Sequence, residues 1–113
     1  MITSTNIKKF IRFRAESPQG KMVFKKVLDL FFSPEMPIDI SYEISCREID
    51  NFESNDLYEW YKITGKLSEK FNWKLTTFQI MDAIIVNCHI NTLIKHGYNI
   101  KLTIPPPDPN MLN

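Results

Sequence analysis

The side chains whose unperturbed titration falls near neutral pH are His89 and His96. Asp82 lies seven residues before the first, as His96 lies seven after it. On a helix this spacing aligns Asp82, His89 and His96 as one polar stripe. Seven residues also span about 10.5 Å of helical rise. That is too far for two imidazoles to share a zinc ion, which helical pairs do at four-residue spacing, or to bracket one phosphodiester. The stripe therefore reads as a partly exposed helical face with His96 beside a helix end, since geometry comes before pKa in assigning a general base. Cys46 and Cys88 are the other candidates. A nucleophilic thiol needs a thiolate-stabilising neighbour; His89 follows Cys88, but adjacent helical positions do not face each other. Without a CxxC spacing, the two cysteines read as small buried hydrophobes rather than as a disulfide or zinc ligands. Gly20, Gly65 and Gly97 are the only glycines, too scattered for a GxGxxG or Walker A loop. Ser17 to Lys21 (SPQGK) aims free N–H groups, a lysine and a dipole at one point, as an anion site would, and as many ordinary helix starts do. No catalytic residue, metal ligand or cofactor is assigned.

Charge position says more than net charge, which is +1 with 14 basic and 13 acidic side chains. Lys8, Lys9, Arg12, Arg14, Lys21, Lys25 and Lys26 dominate the first third, against Glu16 and Asp29. The next stretch holds Glu35, Asp39, Glu43, Glu48, Asp50, Glu53, Asp56 and Glu59 against Arg47. One consequence is internal: Arg12 and Arg14 meet Asp39 and Glu43 across a sheet, each pair contributing roughly 0.2–1 kcal/mol. The other is external. Glu43, Glu48, Asp50, Glu53, Asp56, Glu59 and Trp60 then form a docking surface for a protein with a basic face, with Tyr42, Phe52, Tyr58 and Tyr61 nearby, the acids steering and the aromatics anchoring. Phe10, Arg12, Phe13 and Arg14 interleave basic and aromatic residues as single-strand nucleic-acid binders do. An isoelectric point near 7.7 and the acidic middle place that partner second.

The elements that must position these groups follow from periodicity. Lys8–Ala15 alternates, with Ile11, Phe13 and Ala15 on one face, and predicts a strand. Ser17 at N-cap and Pro18 at N1 open a helix to Phe32 with Phe24, Val27, Leu28 and Phe31 on its apolar stripe. Ser33-Pro34 ends it. Ile38–Cys46 gives the cleanest alternation, with Ile38, Ile40, Tyr42, Ile44 and Cys46 against Asp39, Ser41, Glu43 and Ser45, and predicts a second strand. Asp56 and Glu59 resemble a capping box for a helix to about Phe71, bearing Leu57, Trp60, Tyr61, Thr64, Leu67 and Phe71 on one face and interrupted by Gly65. Thr76 and Gln79 form a better box for a helix to His96, apolar nearly all round over Ile80–Val86 and therefore packed on several sides. Gly97 fits its C′ cap. Tyr98–Ile104 alternates as a third strand. Pro105 to Pro107 and Pro109 cannot extend a ladder, which makes 105–113 a proline-rich tail behind a single domain over 1–104. The order β-α-β-α-α-β predicts an α+β two-layer sandwich, a three-stranded sheet with helices packed on one face.

At 43% hydrophobic and 12% aromatic the chain is too apolar for disorder. No run approaches the ~18 apolar residues of a membrane span, and Met1–Lys9 lacks a secretory apolar region. A small soluble cytoplasmic domain without a membrane partner is expected. The profile of a small α+β chain with an acidic patch and no catalytic constellation resembles that of small bacterial immunity and antitoxin proteins, a resemblance of type that rests on no particular motif. It implies a non-enzymatic module that masks a basic protein partner. The alternatives are a small nuclease or nucleic-acid binder using His89, His96 and the basic first segment, and a structural subunit pairing through an exposed sheet edge.

Overall fold

Thr76 accepts a hydrogen bond from the Gln79 backbone N–H at 3.2 Å, and the Gln79 side chain accepts one from the Thr76 N–H at 2.8 Å. This reciprocal cap opens the longest helix, Thr77–Lys95, and the other helices pack around it. The computed structural model describes residues 1–32 and 37–101. Over these, the helices are α1 (Ile7–Ala15), α2 (Pro18–Phe31), α3 (Ile38–Glu48), α4 (Ser54–Lys70) and α5 (Thr77–Lys95), with a 3-10 turn at Ile49–Asn51. The α5 helix touches each of the other four. The expected α+β sandwich is therefore replaced by an all-helical bundle. Among the described residues the only β pairing is an isolated antiparallel bridge between Phe32 and Ile100. Of the third expected strand, 102–104 lie outside the described residues, as does the whole of the 105–113 tail and the Ser33-Pro34 helix stop.

Two expected strands are helices, and both for a visible reason. In α1, Ile7, Ile11 and Ala15 recur every four residues and are all fully buried, which is helical periodicity. Phe13, placed on the inner face by alternation, is 76% exposed. In α3 the alternation is inverted in meaning. Ser41, Ser45 and Cys46 are buried, while Ile38 and Ile40 are exposed. Small hydroxyl residues let α3 approach α5 closely, and the Ser45 and Ser41 hydroxyls are satisfied there by His89 and Tyr98. Asp39 in the first turn and Arg47 in the last complement the helix dipole.

Of the remaining expected caps, Ser17 and Gly97 hold, and the Asp56–Glu59 box does not form. Ser17 accepts from the Gly20 N–H at 3.0 Å and donates to the Arg14 carbonyl at 2.5 Å, so one hydroxyl starts α2 and helps finish α1. Tyr42 completes that end by donating to the Ala15 carbonyl at 2.5 Å. Helix α4 starts two residues before the expected Asp56, with Glu53 at N-cap and no side-chain cap bond. It runs through Gly65 without interruption. Both α4 and α5 end in Schellman geometry. Trp73 N–H reaches Ser68 C=O past Asn72 (φ 54), and Tyr98 N–H reaches Leu93 C=O past Gly97 (φ 84).

The core divides into two clusters. Ile7, Ile11, Ala15, Cys46, Ile49, Leu57, Ile84, Ile85 and Cys88 join α1, α3, α4 and α5. Phe24, Val27, Leu28, Phe32 and Leu93 join α2 to α5. A Cβ on Gly20 would lie 2.2 Å from the Arg14 carbonyl oxygen and 2.4 Å from that of Ala15, whereas one on Gly65 would meet nothing within 4 Å. Gly20→Ala must therefore push two helices apart and should cost about 1–3 kcal/mol or more. Gly65→Ala should stabilise by about 0.5–1 kcal/mol through helix propensity. Urea midpoints of the two variants should move in opposite directions.

Candidate functional site

The α3–α5 contact carries the densest buried polar chemistry among the described residues. His89, on the inner face of α5, shares a hydrogen bond between its Nδ1 and the Ser45 hydroxyl. Its ring meets Phe24 of α2 edge-on with centroids 4.9 Å apart, so one imidazole joins three helices. One turn further toward the N-terminus of α3, the Ser41 hydroxyl and the Tyr98 phenol are 2.5 Å apart. A Ser–His pair invites comparison with a nucleophile and its base. Here Ser45 is 1% exposed and His89 fully buried, so no substrate reaches either. Burial pushes the His89 imidazole down to about 4, which keeps it neutral at pH 7. Its Nε2 is buried with no hydrogen-bond partner among the described residues.

The expected polar stripe is thus divided into three unlike environments. Asp82 is held through both carboxylate oxygens by Arg14 at 2.8 and 2.9 Å. His89 belongs to the core. His96, beyond the end of α5, is exposed, with its Nε2 3.8 Å from Glu48. The cysteines are free and buried. Burial raises the Cys46 thiol to about 11 and the Cys88 thiol to about 12, which suppresses the thiolate that nucleophilic chemistry needs. Among the described residues, no cluster of His, Cys, Asp and Glu is arranged to hold a metal ion. The Ser17–Lys21 start is spoken for as well. Ser17 occupies the Gly20 N–H, the α1 carbonyls crowd Gly20, and Lys21 bonds Asp39 at 2.8 Å.

The acidic residues follow one another along α3, the 3-10 turn and the first half of α4. Their pairing differs from the expected cross-strand scheme because the strands are helices. Arg12 binds Asp50 at 2.6 Å and also Glu16; Arg14 goes to Asp82; Asp39 goes to Lys21. Lys21 beside it holds the Asp39 carboxyl below its usual range. Glu48 is held low by a hydrogen bond from Asn51 and by Lys95, whose Nζ lies 3.3 Å away. Glu59 is lowered by Lys62 at 2.8 Å. Glu43, Glu53 and Asp56 are exposed and make no ion pair with any described residue. Trp60 is half-buried against Phe52, ring centroids 6.0 Å apart, and packs on the core. It also lines an open hollow with Ile63, Thr64, Ala83, Ile84 and Asn87. Beside Glu48 an open hollow of about 260 Å³ is lined by Asn51, Phe52, Asn91, Thr92 and Lys95. Periodicity missed Ser45, Tyr98 and the Arg14–Asp82 pair, because each bond joins residues 44 or more apart in sequence.

His89 is a base whose folded value is depressed from 6.5 to about 4. Between those values the unfolded chain binds the proton and the folded one does not. Its contribution is therefore fully present above about pH 6.5 and is lost as pH falls toward 4, amounting to roughly 3 kcal/mol. Chemical denaturation between pH 7 and 4 should show this loss, and a His89→Gln variant should show a shallower slope over the same interval.

The chain matches no family model, and no curated protein and no solved structure matches it either.

Proposed function

We propose that the chain is a non-enzymatic protein-binding module of the immunity or antitoxin type, which masks a basic partner through an acidic corner made by α3, the 3-10 turn and the start of α4. The observation that carries this reading is the division of labour among the acids. Glu48, Asp50 and Glu59 are neutralised inside the molecule by Lys95, Arg12 and Lys62. Glu43, Glu53 and Asp56 are left outward-facing and unpaired among the described residues. The paired acids fix the shape of the corner, and the unpaired ones supply a field that speeds encounter with a positive surface.

The same geometry weakens the nucleic-acid alternative. Its proposed general base, His89, is sealed in the core, and Arg12 and Arg14 of the basic first segment are engaged by Asp50, Glu16 and Asp82.

A partner retained by the tagged protein from a lysate of its source can be purified and its association followed by stopped flow. Reversing Glu43, Glu53 and Asp56 together to lysine should slow association about tenfold or more at low ionic strength and flatten its salt dependence. An unchanged on-rate overturns the reading.

A further inference from the structure

The apolar stripe of α4 runs past the core it serves. Leu57 is fully buried, but Ile63, Leu67 and Phe71, at four-residue steps further along, are 51%, 40% and 54% exposed. Trp73, in the turn that follows, is 55% exposed, and its ring stacks on Phe71 with centroids 5.2 Å apart. Phe78, in the first turn of α5, is 56% exposed beneath the Arg14 guanidinium, 5.1 Å from its centroid. Four lysines accompany this stripe at the same spacing: Lys62, Lys66, Lys70 and Lys74, all exposed. Glu59, paired to Lys62, and Glu69 are the acids among them. Positive φ at Asn72 and Lys74, with the Trp73 N–H anchored on Ser68 and the Leu75 N–H on the Ser68 hydroxyl, fixes the turn in one shape. From Phe71 to Gln79 every residue except Leu75 is exposed, so the turn presents a continuous outward surface.

We infer that the α4–α5 tip, with Phe71, Trp73 and Phe78 as its apolar edge and Lys62, Lys66, Lys70 and Lys74 as its charged flank, docks on an anionic lipid surface. Charge complementarity selects a negative occupant, and aromatic rings exposed across the whole turn beside the lysines suit a broad interface. Aromatic rings, tryptophan above all, settle at the headgroup level, where the ring is half in hydrocarbon and half in water. Lysines beside them are drawn by the negative surface potential. Surface docking of this kind needs no spanning segment, and among the described residues no helix is long and apolar enough to cross a membrane. The apolar edge at Phe71, Trp73 and Phe78 lies beyond the C-terminal end of α4, whereas Glu53 and Asp56 lie at its start, about 25 Å away along a 17-residue helix.

The test uses the intact protein and phosphatidylcholine vesicles with or without phosphatidylserine. Co-sedimentation should require phosphatidylserine and fall with added salt, and the tryptophan emission should shift to the blue as Trp73 leaves water. Lys66→Gln with Lys70→Gln should weaken partitioning roughly thirtyfold, from about one kcal/mol for each charge. Trp73→Ser should weaken partitioning and abolish the shift, with helical circular dichroism unchanged in both variants. Failure to bind anionic vesicles, or binding indifferent to these substitutions, overturns the inference. Retention on poly-glutamate without binding to vesicles also overturns it, in favour of an acidic protein partner.

Discussion

A helix that is apolar on most of its faces must be enclosed, and α5 is such a helix. Ile84, Ile85 and Cys88 face one cluster, Leu93 the other, and His89 the contact with α2 and α3. Four helices are needed to keep water from those faces, and they are the four that α5 touches. The shorter helices are subordinate to this requirement. Nine-residue α1 is far below the length at which an isolated helix persists in water. It exists because Ile7, Ile11 and Ala15 have α5 to lean on. Between Ile80 and Ile94, what remains exposed on α5 is a narrow line of Ala83, Asn87, Asn91 and Ile94.

How far the architecture could be read from composition and spacing depended on the range of the signal. Caps are local, and Ser17-Pro18, Thr76 with Gln79, and Gly97 each marked a real helix end. Apolar alternation is also local, yet over eight or nine residues it coexists with a four-residue repeat. In Lys8–Ala15 both patterns were present, and the repeat of Ile7, Ile11 and Ala15 prevailed once α5 supplied a surface. In Ile38–Cys46 the misreading had a different source. Hydrophobicity was taken to mark the inside, whereas α3 turns its serines inward because close approach and hydrogen bonding outweigh hydrocarbon there. The two expected strands also needed one another as partners, so one error entailed the other.

The acids that sequence places in one run occupy consecutive elements, α3, the 3-10 turn and α4. The split between paired and unpaired carboxylates was not visible, since Arg12, Lys95 and Lys62 reach their acids from different helices or turns. For His89 the spacing indicated one helical stripe with Asp82 and His96, but exposure was another matter. Only the fold reveals that the imidazole is enclosed, held neutral, and bonded to Ser45.

The layout of α4 gives this nearly neutral protein a strong internal polarity. Glu53, Asp56 and Glu59 sit at its start, and Lys62, Lys66, Lys70 and Lys74 along its second half and just beyond. This order opposes the peptide dipole and so favours the helix. It also sets acids and lysines on successive halves of one helix, while the total stays at +1. A protein of nearly zero net charge laid out in this way should adhere to anion- and cation-exchange resins alike, presenting a different stretch of α4 to each.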